Sequence, residues 1–156
     1  IFSMDEFNLL LDTSESGVTW YEGGLHQKME DLNGDGVKEY NGWRHYWNLV
    51  GVCSTCRKPP RKIMCFNGQK YVDCTKNFPK LLQQDLNESR KAIRSPSDYL
   101  NDNIDAFHTE LIFFIATSVT LGKKKESLDY IKNNLSKETF DWVNENMNMI
   151  LKELGS

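Results

Sequence analysis

Residues 31–39, Asp-Leu-Asn-Gly-Asp-Gly-Val-Lys-Glu, constrain the fold more than any other stretch of this 156-residue chain. Carboxylates and an amide alternate around glycines, so the segment has to be a tight turn between two regular elements. Gly36 supplies the sharp bend. A polar turn needs only an Asx residue and a glycine. This one offers more oxygens: Asp31, Asn33, Asp35 and Glu39 through their side chains, and Val37 through its carbonyl. So many oxygens on so short a loop meet the requirement of a hard cation, and Ca2+ takes six to eight of them.

Leu25, Met29 and Leu32 recur at helical spacing before the loop, and Tyr40, Trp43, Trp47 and Val50 do so after it. That spacing predicts a helix on each side. Over residues 24–50 the pattern resembles the helix–loop–helix of an EF-hand, with Asp31 to Gly36 matching its first six loop positions. Two positions depart from it. Lys38 stands at position eight, where the pattern has an apolar residue, and Gly42 at position twelve, where it has a bidentate Glu. Glu39, at position nine, resembles instead the shorter calcium loops of extracellular repeat proteins. Without the last carboxylate, affinity is expected to be weak, with a Kd on the order of 0.1–1 mM.

The formal net charge is −3, but it is segregated along the chain. Residues 1–50 carry nine acids and three bases, residues 51–80 one acid and seven bases, and residues 81–156 twelve acids and nine bases. So mild a balance argues against a general or sequence-specific nucleic-acid binder. The basic block contains Arg57, Lys58, Arg61, Lys62 and Lys70, followed by Lys76 and Lys80. It reads either as a solvated surface or as a contact for an anionic partner.

The same block holds all four cysteines, Cys53, Cys56, Cys65 and Cys74. An even number confined to one segment favours disulfides formed in an oxidising compartment. A chain beginning at Ile1 suits a processed secreted protein or an ectodomain. Asn87-Glu-Ser89 and Asn134-Leu-Ser136 are N-glycosylation acceptors. Ile63–Phe66, Asn67-Gly68 and Gln69–Val72 predict a hairpin with a two-residue turn. In that register Phe66 opposes Gln69, and Cys65 and Cys74 share a face but stand four pairs apart, about 13 Å. Each is therefore expected to pair with Cys53 or Cys56. Cys53-Ser-Thr-Cys56 also has the spacing of a zinc knuckle or a redox pair. Zinc would need a second close pair, and a thioredoxin-like site would need βαβ patterning; neither is present.

Four further helical segments follow from periodicity and caps, besides an N-terminal one capped by Ser3 and Glu6. The first begins at Pro79 and carries Leu82, Leu86 and Ile93. The second runs from Ser95-Pro96 to Leu121, is the most apolar, and ends at Gly122. A short segment spans Lys123–Asn134. The last is capped by Ser136 and carries Phe140, Val143, Met147, Leu151 and Leu154. The expected class is mainly α (α+β): a helical bundle, a calcium-loop helix pair and a small disulfide-stapled hairpin. One domain is expected, with residues 1–52 as N-terminal helices and acidic loop, 53–78 as Cys-rich hairpin and 79–154 as bundle. The apolar run Leu111–Leu121 is about half a bilayer span, so no transmembrane segment is expected.

These features favour a secreted or ectodomain binding module, stiffened by Ca2+ and disulfides. It would meet an extracellular protein or anionic glycan through Arg57, Lys58, Arg61, Lys62 and Lys70. No catalytic residue is assigned, since no nucleophile elbow, phosphate loop or zinc-protease motif is present. Two alternatives remain. One is a calcium-dependent secreted hydrolase with His45 as general base. The other is an α-helical carrier of a small apolar ligand, with Leu111–Leu121 lining its cavity.

Overall fold

The computed structural model describes residues 28–43, 60–95 and 104–154. They fall into two compact units, one β and one α, so the chain is a mixed α+β protein. The expected N-terminal helix, Leu25, His26, His45, Trp47, Val50, Cys53, Cys56, Arg57 and Lys58 lie outside the described residues.

The β unit is an antiparallel sheet in the order β1 (Lys28–Glu30), β2 (Glu39–Trp43), β3 (Arg61–Phe66) and β4 (Tyr71–Asp73). The acidic loop therefore joins two strands, not the two helices expected. Met29 and Tyr40, each placed on a helical stripe by spacing, are direct cross-strand partners. The cause lies in β2, where Glu39, Tyr40, Gly42 and Trp43 are all buried. A strand buried on both faces shows no polar–apolar alternation, so a few chance intervals of three and four imitate a helix. Gly42 is a mid-strand residue opposite Lys62. Its missing side chain explains nothing about the loop.

The β3–β4 hairpin forms where expected but in another register. Phe66 pairs with Tyr71, Cys65 with Val72 and Met64 with Asp73. Asn67 sets this register. Its N–H donates to the Lys70 carbonyl at 3.0 Å, and its side-chain oxygen accepts from the N–H groups of Gln69 and Lys70. Gly68, at φ +95°, completes a four-residue loop. The two extra loop residues move Cys74 to within one diagonal of Cys65. The two are joined in a disulfide with a Cα–Cα distance of 5.7 Å. This corrects the expected pairing of each with Cys53 or Cys56, and it removes both from any zinc site. Past β4, Thr75 continues the ladder: its hydroxyl accepts from the Ile63 N–H and donates to the Asp73 carboxylate.

The α unit contains α1 (Pro79–Arg94), α2 (Ile104–Thr120), α3 (Lys124–Asn134) and α4 (Lys137–Glu153). Helix α2 is central, packing against each of the other three. Every residue from Glu110 to Ser118 is buried, as befits a helix apolar on all sides. Leu86 and Ile93 of α1, Ile131 of α3, and Val143, Met147 and Ile150 of α4 close around Leu111, Ile112, Phe114 and Ile115. The end of α2 is a Schellman motif. Gly122 has φ +73°, Lys123 N–H donates to Ser118 O at 2.8 Å, and Gly122 N–H to Val119 O at 3.0 Å. Ser136 caps α4, its Oγ accepting from Thr139 N–H.

Candidate functional site

The acidic loop folds around the Asp31 carboxylate. Its Oδ1 accepts from the N–H groups of Gly34 and Asp35 at 2.7 and 3.1 Å, and its Oδ2 from Gly36 at 3.0 Å. Gly34 and Gly36 both have positive φ, +81° and +86°. That conformation turns successive N–H groups inward and is strained for any residue with a Cβ. These donors hold the Asp31 carboxyl below the usual aspartate range, Gly36 most strongly. Desolvation opposes the effect, and Gly34, Asp35 and Asn33 add to it.

Three more side chains close the loop. Asn33 Oδ1 accepts from Asp35 N–H, and Asp35 Oδ1 accepts from Val37 N–H. Glu39 Oε2 accepts from Leu32 N–H at 2.7 Å. The Asn33 amide NH2 bridges the remaining oxygens, donating to Asp35 Oδ2 at 2.9 Å and Glu39 Oε1 at 3.3 Å. It is the neutral group that keeps those two carboxylates together. Glu39 is 2% exposed, although its neighbours in the loop lie in solvent. Among the described residues, no three His, Cys, Asp or Glu side chains stand close enough together to hold an ion. The loop meets its own charge with N–H donors. Asp31 Oδ1 already accepts two bonds. Asp31 Oδ2 and the side-chain oxygens of Asn33, Asp35 and Glu39 each keep lone-pair capacity beyond the bonds described, and the donor set is all oxygen, as calcium prefers.

Sequence reasoning overlooked the sheet residues behind the loop. Glu30 is the direct cross-strand partner of Glu39. It accepts from the Asn41 amide at 2.7 Å, and Asn41 in turn accepts from Arg61 at 2.8 Å. Arg61 also lies over the Trp43 ring, 5.0 Å from its centroid. The signal was the alternation Glu39-x-Asn41-x-Trp43, which places all three on one face of a strand. On the other face, Tyr40 and Met64 are buried with Met29 and Tyr71 packed beside them. Burial pushes the Tyr40 phenol up to about 12. Tyr71 is also raised, by burial and then by the charge of Glu39, and its hydroxyl donates to the Lys38 carbonyl at 3.0 Å.

Of the expected basic contact set, three residues are described. Arg61 is engaged within the sheet, Lys62 is buried, and Lys70 is exposed at the hairpin loop. Val37, whose carbonyl was expected to face a cation, has an exposed side chain. Of the two glycan acceptors, Asn87 lies within α1, and its Ser89 is fully buried and donates to the Glu110 carbonyl. Asn134 ends α3, and both it and Ser136 are exposed. Leu111–Ile115 are core residues. Among the described residues, no helix is long and apolar enough to cross a membrane. No family model, curated protein or solved structure matches the chain.

Proposed function

We propose that the chain is an extracellular binding module whose acidic loop takes Ca2+ and whose hairpin surface meets an anionic glycan or an acidic protein. One observation carries the calcium reading. The Asn33 amide NH2 holds the carboxylates of Asp35 and Glu39 together. Asp31 stands in the same nine-residue loop, from which an ion would draw it in, since the three carboxylates do not stand close enough together without one. A cation entering there would displace the Asn33 NH2 from Asp35 and Glu39. That exchange costs existing hydrogen bonds, which supports weak affinity in the range of extracellular modules, on the order of 0.1–1 mM. Asp31, Asn33, Asp35 and Glu39 would hold the ion through side chains and Val37 through its carbonyl. The ion would neutralise crowded carboxylates and fix the angle between β1 and β2.

The Cys65–Cys74 disulfide supports an oxidising compartment. The open geometry at Asn134 makes it the preferred glycan acceptor over Asn87. For partner contact, Arg57, Lys58 and exposed Lys70 are the residues to test, because changing Arg61 or Lys62 would damage the sheet.

Thermal unfolding in rising Ca2+ tests the ion. The midpoint should climb over the millimolar range, and Mg2+ should have less effect. Asn33→Asp removes the bridging donor and adds a carboxylate, so it should lower the midpoint without calcium and enlarge the gain with it. No calcium response in either protein would refute the site. Retention on a sulfated-glycan column, compared with that of the R57E/K58E/K70E variant, tests the surface. Equal retention would remove the basic contact.

A further inference from the structure

We infer that the α unit carries a binding site for a small amphipathic anion, in the cleft between α3 and the start of α4. It is independent of the calcium loop. The cleft has a volume of about 460 Å³ and is lined by Lys124, Lys125, Leu128, Asp129, Lys132 and Phe140. That volume suits a small-molecule ligand. Leu128 and Phe140 are only partly buried and pack on the core from outside. They form an apolar floor with lysines around it.

Two of the three lysines are placed against local stability, with Glu126 beside them in the first turn. Lys124 and Lys125 open α3, and Lys123, in the N-cap position, provides no side-chain cap. A helix N-terminus carries partial positive charge, so cations there are unfavourable. Lys123 is held by Gln83, its Nζ donating at 2.6 Å. Among the described residues of the lining, Asp129 is the one carboxylate against three ammonium groups. A chain of net charge −3 thus gathers positive charge around an apolar floor, two of the three lysines standing at the helix end that disfavours them and Lys132 in the last turn. Conflicts between local preference and fold are concentrated at functional sites. An anion would relieve this one.

The chemistry specifies the ligand class. A carboxylate, sulfate or phosphate would sit among Lys124, Lys125 and Lys132, and an aromatic or short aliphatic body would lie on Leu128 and Phe140. Lysine ammonium groups act here as mobile point charges, so they would select charge more than shape. Inorganic anions would lack the apolar term, and neutral apolar molecules the electrostatic one.

Titration of the full chain with naphthalene-2-carboxylate, followed by amide chemical shifts, tests this. The expected result is a saturable change centred on residues 124–132 and Phe140. The neutral 2-naphthamide should bind about tenfold more weakly, equivalent to about 1.4 kcal/mol. K125Q/K132Q should lose a similar factor, and raising salt should weaken the carboxylate alone. Phe140→Ala should weaken both ligands. Because Lys125 and Lys132 are exposed, their replacement should leave the fold intact, which an unchanged unfolding midpoint would verify. Shifts elsewhere, equal binding of the amide, or full binding by the lysine variant would overturn the assignment.

Discussion

Glu30 and Glu39 are cross-strand partners, two carboxylates set directly opposite each other at the base of the acidic loop. Like charges in that position destabilise a sheet. Glu30→Gln keeps an oxygen for the Asn41 amide and removes the repulsion. It should raise stability without calcium by about 0.2–1 kcal/mol, and it should shrink the gain from added calcium. Denaturant titrations with calcium and with chelator would measure both. A loss of stability in chelator would mean that Glu30 is held by more than the Asn41 bond.

The Cys65–Cys74 link closes a short loop, with a sequence separation of 9. On a chain-entropy model, removing it should cost about 2–3 kcal/mol. The Cys65→Ala/Cys74→Ala double variant should show that loss. Peptide mapping under non-reducing conditions should recover Cys65 joined to Cys74 and neither joined to Cys53 or Cys56. A cross-linked peptide containing Cys53 or Cys56 with either partner would contradict the hairpin register.

His108 stacks on Trp142, with ring centroids 3.9 Å apart and planes within 9°. Burial lowers the imidazole pKa from 6.5, against the pull of Asp105. The folded chain therefore takes up this proton less readily than the unfolded one. The stability gained by keeping the ring neutral is present above pH 6.5 and is lost as pH falls through the lowered value. Unfolding midpoints should drop across that window. His108→Phe keeps a ring on Trp142 and should flatten the slope. An unaltered slope would place the titrating group elsewhere.

Thr117 is buried in α2, and its hydroxyl has no hydrogen-bond partner among the described residues. Nearby Ser118 Oγ donates to the Phe114 carbonyl and pairs with Ser127. Thr117→Val keeps the shape and removes the unsatisfied oxygen, so it should stabilise by about 1 kcal/mol. The midpoint of urea unfolding would show this. Destabilisation would reveal a partner for the hydroxyl.

The α unit was legible because its signals are local. Pro79, Gly122 and Ser136 mark ends that the helices respect, and the stripe Leu82, Leu86, Ile93 is buried as its spacing predicts. The final stripe centres on Ile150, with Leu151 beside it only partly buried. The sheet was less legible because its signals are not local. Tyr40 and Trp43, three residues apart, sit on opposite faces of one strand, and nothing within β2 distinguishes that from a helix. Asn67-Gly68 located the hairpin turn. The side chain of Asn67 then bonded the wrong residues for a two-residue loop, and the cysteine pairing changed with it. The acidic loop was visible residue by residue, but Glu30 became relevant only through strand pairing.

Glu39 is both the last oxygen donor of the acidic loop and the first residue of β2. No residue separates the two roles, and the next residue, Tyr40, pairs with Met64 across the sheet. Tyr71, raised partly by the charge of Glu39, reports from the same neighbourhood. The Tyr71 phenol is thus a built-in gauge of the turn: its ionisation, followed residue by residue by NMR so that it is separated from the chain's other tyrosines, would register a change of charge at Glu39 without any label.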